Sequence, residues 1–304
     1  MMIGNRSSGT IHPHPDLPRA RGKRAERSRI VKKAESQSGN WGARGAFWDK
    51  NAPTGESVAD DLNQILIGLT SIAAGDQVLD LASGSGEPAI SIALKVGARG
   101  SVTALDAHAE MLAGAERRAS TLGLNNITFE IARMEELPFD DDIFDAVTCR
   151  FGLMSSDDPV GTLREARRVL KPGRKAAFMT HGAQERNTLS DILEQVVRDV
   201  LDEHKGGGAK RRLKFSEAGA LQEVFTAAGF ENIGEREVRK TVTYERNTRF
   251  WRGLLERRHG PLLESLRAEE LAHLNEELEM AFAPYLSGDQ YELISADMAG
   301  WGTA

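Results

Sequence analysis

The sequence predicts an α/β protein built on a doubly wound, mostly parallel sheet of seven strands with helical caps. Three observations support this fold class. Between residues 77 and 181, short apolar runs alternate with segments of helical spacing. A glycine-rich turn follows the first of these runs. The chain has 304 residues, 40% of them hydrophobic, which is enough for one large core. Right-handed crossovers between such strands give an open sheet with helices on its faces.

The elements of the first part follow from the pattern in order. Residues 56–73 predict a helix, because apolar residues recur at helical spacing. Pro88 suits the first turn of the next helix, where its missing N–H costs nothing. The sequence Lys171-Pro172-Gly173 predicts a helix end. The predicted strands are 77–82, 100–106, 127–132, 144–150 and 175–181, and the further helices are 88–97, 107–123 and 159–170.

Beyond residue 183, the sequence pattern predicts more helix than strand. Predicted helices are 188–204, 217–230 and 248–283, the last broken near Gly260-Pro261, and predicted strands are 235–245 and 291–301. The predicted domain organisation is a basic tail at 1–40, an N-terminal helical cap at 41–75 and an α/β domain at 76–304, with helical cap insertions at about 186–228 and 248–283.

Charge and cysteine content limit the classes of partner. The net charge is −6, but residues 1–40 carry nine basic against three acidic residues. This tail predicts either a solvated, disordered extension or a segment that touches nucleic acid or an anionic surface. The acidic remainder argues against nucleic acid. The single cysteine, Cys149, excludes an internal disulfide. The sequence lacks a secretory signal and a membrane-length apolar run, so a cytoplasmic location is predicted. The sequence does not determine the oligomeric state, and a homodimer is one of the alternatives.

The stretch LDLASGSGEPAIS at residues 79–91 predicts a cofactor turn. Read as Gly84-x-Gly86-x-x-Ala89, it matches a dinucleotide fingerprint. A pyrophosphate prefers a helix N-terminus without nearby negative charge, whereas Asp80 and Glu87 bracket this turn. A ligand with an ammonium and a sulfonium would benefit from these carboxylates. The sequence therefore favours S-adenosylmethionine over NAD.

Four stretches in order then resemble the motifs of a known family. VLDLASGSGEPAISIA, VTALDAHAEML, EELPFDDDIFDAVTCRFGLM and EARRVLKPGRKAAF are similar to class I S-adenosylmethionine-dependent methyltransferases with a Rossmann-like sheet, nearest to the ubiquinone/menaquinone-biosynthesis branch. The resemblance covers about residues 45–304 and is strongest at 77–181. It implies transfer of a methyl group to oxygen or carbon of a small organic acceptor, quinone-like or natural-product-like. S-adenosylhomocysteine would be the product, and no metal is expected.

The resemblance also implies roles for particular residues. Asp106 would bind the ribose hydroxyls, with Ala107 packing near the adenine, and Met134 and Glu135 would meet the adenine ring. Arg133 stands where the family commonly has an acid, so the adenine amino group needs the backbone or Glu135 as acceptor. The methionine end of the cofactor would be held by Asp80, Ala82, Ser83, Gly84, Ser85 and Gly86, and Cys149 and Arg150 would line the methionine moiety and the substrate side.

Candidates for catalysis and substrate binding lie outside the glycine turn. His181 ends the fifth predicted strand, and is either a general base or a residue that positions the following loop. Arg150 is the second catalytic candidate. Phe47 and Trp48 would either cover the substrate or pack the N-terminal cap, and Trp251 would belong to a substrate cap or to plain packing.

Two other functions remain as alternatives. One is an RNA methyltransferase docked through residues 19–33, and the other is an NAD(P)-dependent oxidoreductase. The second lacks a clear Tyr-x-x-x-Lys pair, because Thr248 follows Tyr244 at that spacing. Arsenite methylation by a thiol-dependent enzyme is excluded, since one cysteine cannot supply the ligand set.

Overall fold

The computed structural model describes residues 58–201 and 214–304. They divide into two compact units. Among the described residues, the first comprises 58–179, 221–235 and 299–304, and the second comprises 180–201, 214–220 and 236–298. The predictions for the basic tail and for Phe47 and Trp48 lie outside the described residues. The domain boundaries drawn from the sequence stay a prediction.

The described stretches contain the helices and strands expected of an α/β protein. The strands are β1 (Gln77–Leu81), β2 (Ser101–Asp106), β3 (Ile127–Ile131), β4 (Phe144–Arg150), β5 (Leu170–His181), β6 (Glu231–Glu245), β7 (Leu286–Ser287) and β8 (Gln290–Thr303). The α-helices are α1 (Val58–Thr70), α2 (Ala89–Val96), α3 (Ala109–Thr121), α4 (Pro159–Val169), α5 (Thr188–Leu201), α6 (Ala220–Ala227), α7 (Arg252–Ser265) and α8 (Ala268–Phe282).

The sheet confirms the predicted fold class. Seven strands in the described stretches follow the order β3-β2-β1-β4-β5-β8-β6, and the two-residue β7 pairs with β8 as an eighth strand. The pairs β1–β2, β2–β3, β1–β4 and β4–β5 are parallel. The strand order reverses at β1, which has β2 on one side and β4 on the other. In open α/β sheets this switch point is where ligands bind.

The strand β1 lies in the core of the first unit. Four of its five residues are buried, because helices cover the sheet face. α2 contributes Ile90, Ile92 and Ala93 to one apolar cluster, and α3 contributes Ala115. Burial on this scale is the main favourable term in folding. The end of β1, which carries Asp80, is therefore packed within this core.

An aromatic cluster forms the core of the second unit. Phe250 stacks on Tyr244 with 4.5 Å between ring centroids, and contacts Phe282 edge-on at 5.0 Å. Apolar residues of α5 and α8 pack against the same cluster, among them Leu193 and Leu278. The amphipathic patterns of these helices are therefore explained by packing inside this unit.

Several element ends differ from the predicted ones by a few residues, and two of these differences have a clear physical reason. β5 begins at Leu170, five residues early, because Leu170 pairs with Phe144 before the register shifts and pairing resumes at Lys175. The segment Lys171-Pro172-Gly173 thus ends α4 as predicted, but lies within an irregular strand. The predicted helix at 248–283 is two helices, and α7 has non-helical backbone at His259 (φ −125°, ψ 15°), beside the predicted break.

Across the described stretches, the longest and most apolar helices still fall short of what a membrane span requires.

Candidate functional site

The turn after β1 is the structural centre of the site. Its backbone is left-handed at Ala82 (φ 52°), Gly84 (φ 55°) and Gly86 (φ 101°). Glycine adopts this conformation without strain, whereas alanine does so at a cost. A Cβ at Gly86 would lie 2.8 Å from Ile90 Cδ1 and 3.2 Å from the Cβ of Ala115. The second glycine is therefore required both for backbone conformation and for packing against α2 and α3.

The segment after β4 contacts the same turn. Phe151 also has left-handed backbone (φ 62°), and its amide donates to the carbonyl of Met179. A side chain at Gly152 would collide with Ala82, so only glycine fits there. The two strand ends on either side of the switch point are thus in direct contact.

Asp80 carries a buried, incompletely satisfied carboxyl group. It is 0% exposed, and its Oδ1 accepts a hydrogen bond from Thr148 Oγ1 at 2.7 Å. Its Oδ2 has no hydrogen-bond partner among the described residues. Ser83 lies near enough to favour the ionised form without reaching hydrogen-bonding geometry. Burial raises the pKa of Asp80 to about 7, opposed by Thr148 and by the positive charge of Arg150.

Asp106 links β2 to the glycine turn. Its Oδ2 accepts from the amide of Gly84 at 2.9 Å, and its Oδ1 accepts from the amide of His108 at 2.9 Å. The imidazole Nδ1 of His108 lies 3.1 Å from the same Oδ1. This hydrogen bond raises the pKa of His108. Asp106 therefore holds the turn in place, and its Oδ2, which accepts from the Gly84 amide, keeps an acceptor position for a hydroxyl donor. Ala107 lies beside it and is half-buried.

Glu87 is paired with residues of the protein, whereas the sequence analysis expected its charge to act on the ligand. Arg118 Nη2 donates to its Oε1 at 2.7 Å, and Asn63 Nδ2 donates to its Oε2. Its charge is therefore compensated within the protein rather than directed at a ligand. Of the two acids on which the sequence argument relied, Asp80 alone keeps an unpaired oxygen among the described residues.

Glu135 is also engaged by neighbouring residues. Its Oε1 accepts from Ser156 Oγ at 2.8 Å and from the amide of Asp157 at 3.2 Å. Its Oε2 lies 3.3 Å from Arg133 Nε, and Arg133 also pairs with the exposed Asp157. Because these donors occupy Glu135, the backbone is the better candidate acceptor for an adenine amino group. Met134 between them is half-buried.

Cys149 and Arg150 are the last two residues of β4, and they differ in burial. Cys149 is fully buried, and burial raises the pKa of its thiol to about 12. Such a thiol is not a nucleophile at neutral pH. Arg150 is half-buried and its Nη1 donates to Asn63 Oδ1 at 2.9 Å. It therefore belongs to the same polar network as Glu87.

His181 lies in the second unit and has a partner that the sequence did not reveal. Its Nδ1 is 3.2 Å from Oδ1 of Asp297 on β8. Asp297 is 4% exposed in its side chain, whereas the imidazole is 44% exposed. A buried carboxylate behind an accessible imidazole orients the ring and fixes its tautomer, as a general base requires.

Trp251 is an interior residue of the second unit. It is 2% exposed and stacks on Phe282 with 5.4 Å between ring centroids. Its indole Nε1 has no partner among the described residues. The structure thus assigns it a packing function, and its role toward substrate stays a prediction.

All eleven predicted cofactor residues belong to the first unit, where Asp106 contacts the glycine turn directly, and the structure adds residues that the sequence analysis missed. Asn63 is buried on α1, three residues before Leu66 and four before Ile67, so its position on the apolar face was a usable signal. Arg118 and Asp297 gave no comparable signal. Among the described residues, there is no group of three or more His, Cys, Asp or Glu side chains that could hold a metal ion.

Comparison with solved structures shows the class to which this fold belongs. The N-methyltransferase of Haemonchus contortus that acts on phosphoethanolamine, solved with S-adenosyl-L-methionine, superimposes with a TM-score of 0.52 at 17% identity. The match covers 90% of this chain and 60% of that protein. The switch point, glycine turn and strand order together define a class I methyltransferase fold.

Sequence comparison identifies the family. The profile of the ubiE/COQ5 methyltransferase family matches residues 62–206. A ubiquinone/menaquinone biosynthesis C-methyltransferase of Idiomarina loihiensis is 30% identical over 179 residues, which are 55% of this chain and 71% of that protein. A 2-phytyl-1,4-naphtoquinone methyltransferase of Nostoc sp. is 37% identical over 143 residues, or 44% of this chain and 62% of that protein. The chain belongs to the ubiE/COQ5 methyltransferase family, although it spans less than two thirds of the Nostoc protein.

Proposed function

We propose that the protein is an S-adenosylmethionine-dependent methyltransferase that methylates a small quinol-like acceptor. The observation that carries this proposal is the unpartnered Oδ2 of Asp80, buried beside a left-handed glycine turn. A cationic ammonium group fits such an oxygen better than a pyrophosphate does. The family supports the activity, and the quinone substrates named for the relatives support the acceptor class.

The residues present fit the cofactor. The Asp80 carboxylate would accept from the ammonium of the methionine moiety, and the turn through Ser83 and Ser85 would lie along it. Asp106 would accept from the ribose hydroxyls, with Ala107 and Met134 near the adenine. When bound, S-adenosylmethionine supplies a methyl group on a sulfonium, which is already a good leaving group. The protein then contributes orientation, since holding the reactants in line removes most of the entropic barrier.

The chain also offers a group that removes a proton. We propose that His181, oriented by Asp297, takes the proton of the acceptor hydroxyl as the ring or oxygen becomes nucleophilic. A quinol rather than a quinone is the required form, because the oxidised ring is electron-poor. Arg150 remains a candidate for the acceptor side, and Phe47 and Trp48 remain sequence predictions.

Calorimetric titration with S-adenosylhomocysteine tests the proposal. We expect micromolar affinity in the unaltered protein and a loss of at least about tenfold in Asp106→Ala, since ribose hydroxyls lose their acceptor. Asp289→Ala, an exposed acid in the β7–β8 turn, is the matched control and should bind normally. NAD+ and NADP+ should not bind. Binding of a nicotinamide cofactor in place of S-adenosylhomocysteine would refute the proposed function.

A further inference from the structure

Arg118 on α3 clamps the glycine turn from the side. Its Nη1 donates to the carbonyl oxygen of Ser85 at 2.7 Å, and its Nη2 donates to Glu87 Oε1 at 2.7 Å. The Arg118 and Glu87 side chains are 18% and 10% exposed. The planar guanidinium thus fixes two points of one short turn, which a lysine ammonium cannot reproduce with the same geometry.

The bond to Ser85 fixes a peptide plane between the two left-handed glycines. The carbonyl of Ser85 and the amide of Gly86 belong to one planar unit. That amide donates to the carbonyl of Ser83 at 2.8 Å, on the opposite side of the unit from Arg118. With both ends held, rotation of this peptide plane requires breaking at least one of the two hydrogen bonds.

Asn63 on α1 holds Glu87 through the other carboxylate oxygen, Oε2, while Arg118 holds Oε1. Asn63 is fully buried, donates to Glu87 and to Ser91 Oγ (2.9 Å), and accepts from Arg150. Glu87 is therefore held on both oxygens by helices that flank the turn. A movement of Arg118 would release a carboxylate as well as a carbonyl.

We propose that Arg118 is a positioning residue for cofactor binding: with Glu87, it holds the glycine turn in the shape that accepts the methionine moiety. The proposal rests on the proposed function of that turn. Arg118 contacts the turn on the face toward α3 and acts through Ser85 and Glu87. Its loss should weaken binding by letting the turn sample other conformations, which the cofactor must then select against.

The test compares Arg118→Met and Arg118→Lys with the control Arg117→Met, an exposed neighbour on the same helix. S-adenosylhomocysteine affinity is measured by calorimetry, and amide exchange is measured in residues 82–87 without ligand. We expect the Kd to rise about tenfold in Arg118→Met and less in Arg118→Lys, with faster exchange confined to the turn. Arg117→Met should match the unaltered protein in both measurements.

Urea unfolding separates positioning from mere stability. If Arg118→Met unfolds more easily but binds S-adenosylhomocysteine with unchanged affinity while folded, the residue is only structural and the inference is overturned. Unchanged exchange in the turn would overturn it as well. If the unaltered protein does not bind S-adenosylhomocysteine, the proposed function fails, whereas the exchange measurement still decides whether Arg118 holds the turn.

Discussion

Asp80 shows that the charge of a carboxyl group does not follow from the residue type alone. In the sequence it reads as a negative charge, but complete burial raises its pKa from 3.8 to about 7. A cofactor ammonium would favour the ionised form again. Cofactor binding near neutral pH should therefore release protons, which calorimetry in buffers of different ionisation enthalpy measures directly. Proton uptake on binding would contradict this assignment.

The same pKa predicts a pH-dependent stability. Below pH 3.8 the carboxyl is protonated in both states, and between 3.8 and about 7 only the folded protein holds the proton. Its contribution to the unfolding free energy therefore falls as pH rises through this window, by up to about 4 kcal/mol in all. Asp80→Asn, which resembles the protonated acid, should lose this dependence.

Urea unfolding at about pH 5 and about pH 8 checks this sign. Asp80→Asn should gain on the unaltered protein at the higher pH and converge with it at the lower one. Asp289→Asn is the exposed control. If the two proteins keep the same difference in unfolding free energy at both pH values, Asp80 does not carry the proton in the folded state.

His181 allows a kinetic prediction at the same scale. If it is the general base, His181→Gln should lower kcat by about 10²–10⁴-fold and leave S-adenosylhomocysteine affinity unchanged. The assay uses a prenylated 1,4-naphthoquinol as acceptor and S-adenosylmethionine as donor. His273→Gln, on the exposed face of α8, is the matched control. A normal kcat in His181→Gln would leave the imidazole with only a structural role.

At the scale of elements, glycine positions distinguish the turn from ordinary helix. Gly86→Ala should destabilise the protein by about 1–3 kcal/mol and abolish cofactor binding, because φ 101° and the contact with Ile90 leave no room for a Cβ. Gly68→Ala, in α1, should instead stabilise it by about 0.5–1 kcal/mol, since its Cβ would meet nothing within 4 Å. Thermal unfolding with and without S-adenosylhomocysteine measures both. Equal effects of the two substitutions would contradict the special geometry of Gly86.

Elements were predictable in kind, and their ends less so. The strands of the first unit were found because buried parallel strands read as apolar runs bounded by turns. β5 was predicted late because Lys171 and Pro172 suggest a turn, whereas the pairing of Leu170 with Phe144 is a tertiary contact. The break in α7 was predicted from Gly260-Pro261, since local backbone restriction is written in the sequence.

At the scale of the whole molecule, the basic tail should be dispensable for cofactor binding. A chain lacking residues 1–40 should bind S-adenosylhomocysteine as tightly as the full chain, because the predicted cofactor residues lie at 80–149. Calorimetry on both chains tests this prediction, with a salt titration of RNA binding as a second measurement. A loss of cofactor affinity on truncation would show that the tail reaches the site.

The sequence by itself determined the α/β class of the sheet, the positions of its strands and the glycine turn after the first strand, whereas the strand order and its switch point came from the structure. The features that the sequence determined follow from local patterns: alternation of strand and helix, glycine spacing, and the acids Asp80 and Asp106 at the ends of the first two strands. Only the tertiary structure decided what the acids do. Asp80 became a buried group with a raised pKa, Glu87 became a partner of Arg118 and Asn63, and His181 gained Asp297, 116 residues away. The physical reason is that charge state and pairing depend on burial and on distant neighbours, neither of which sequence spacing records.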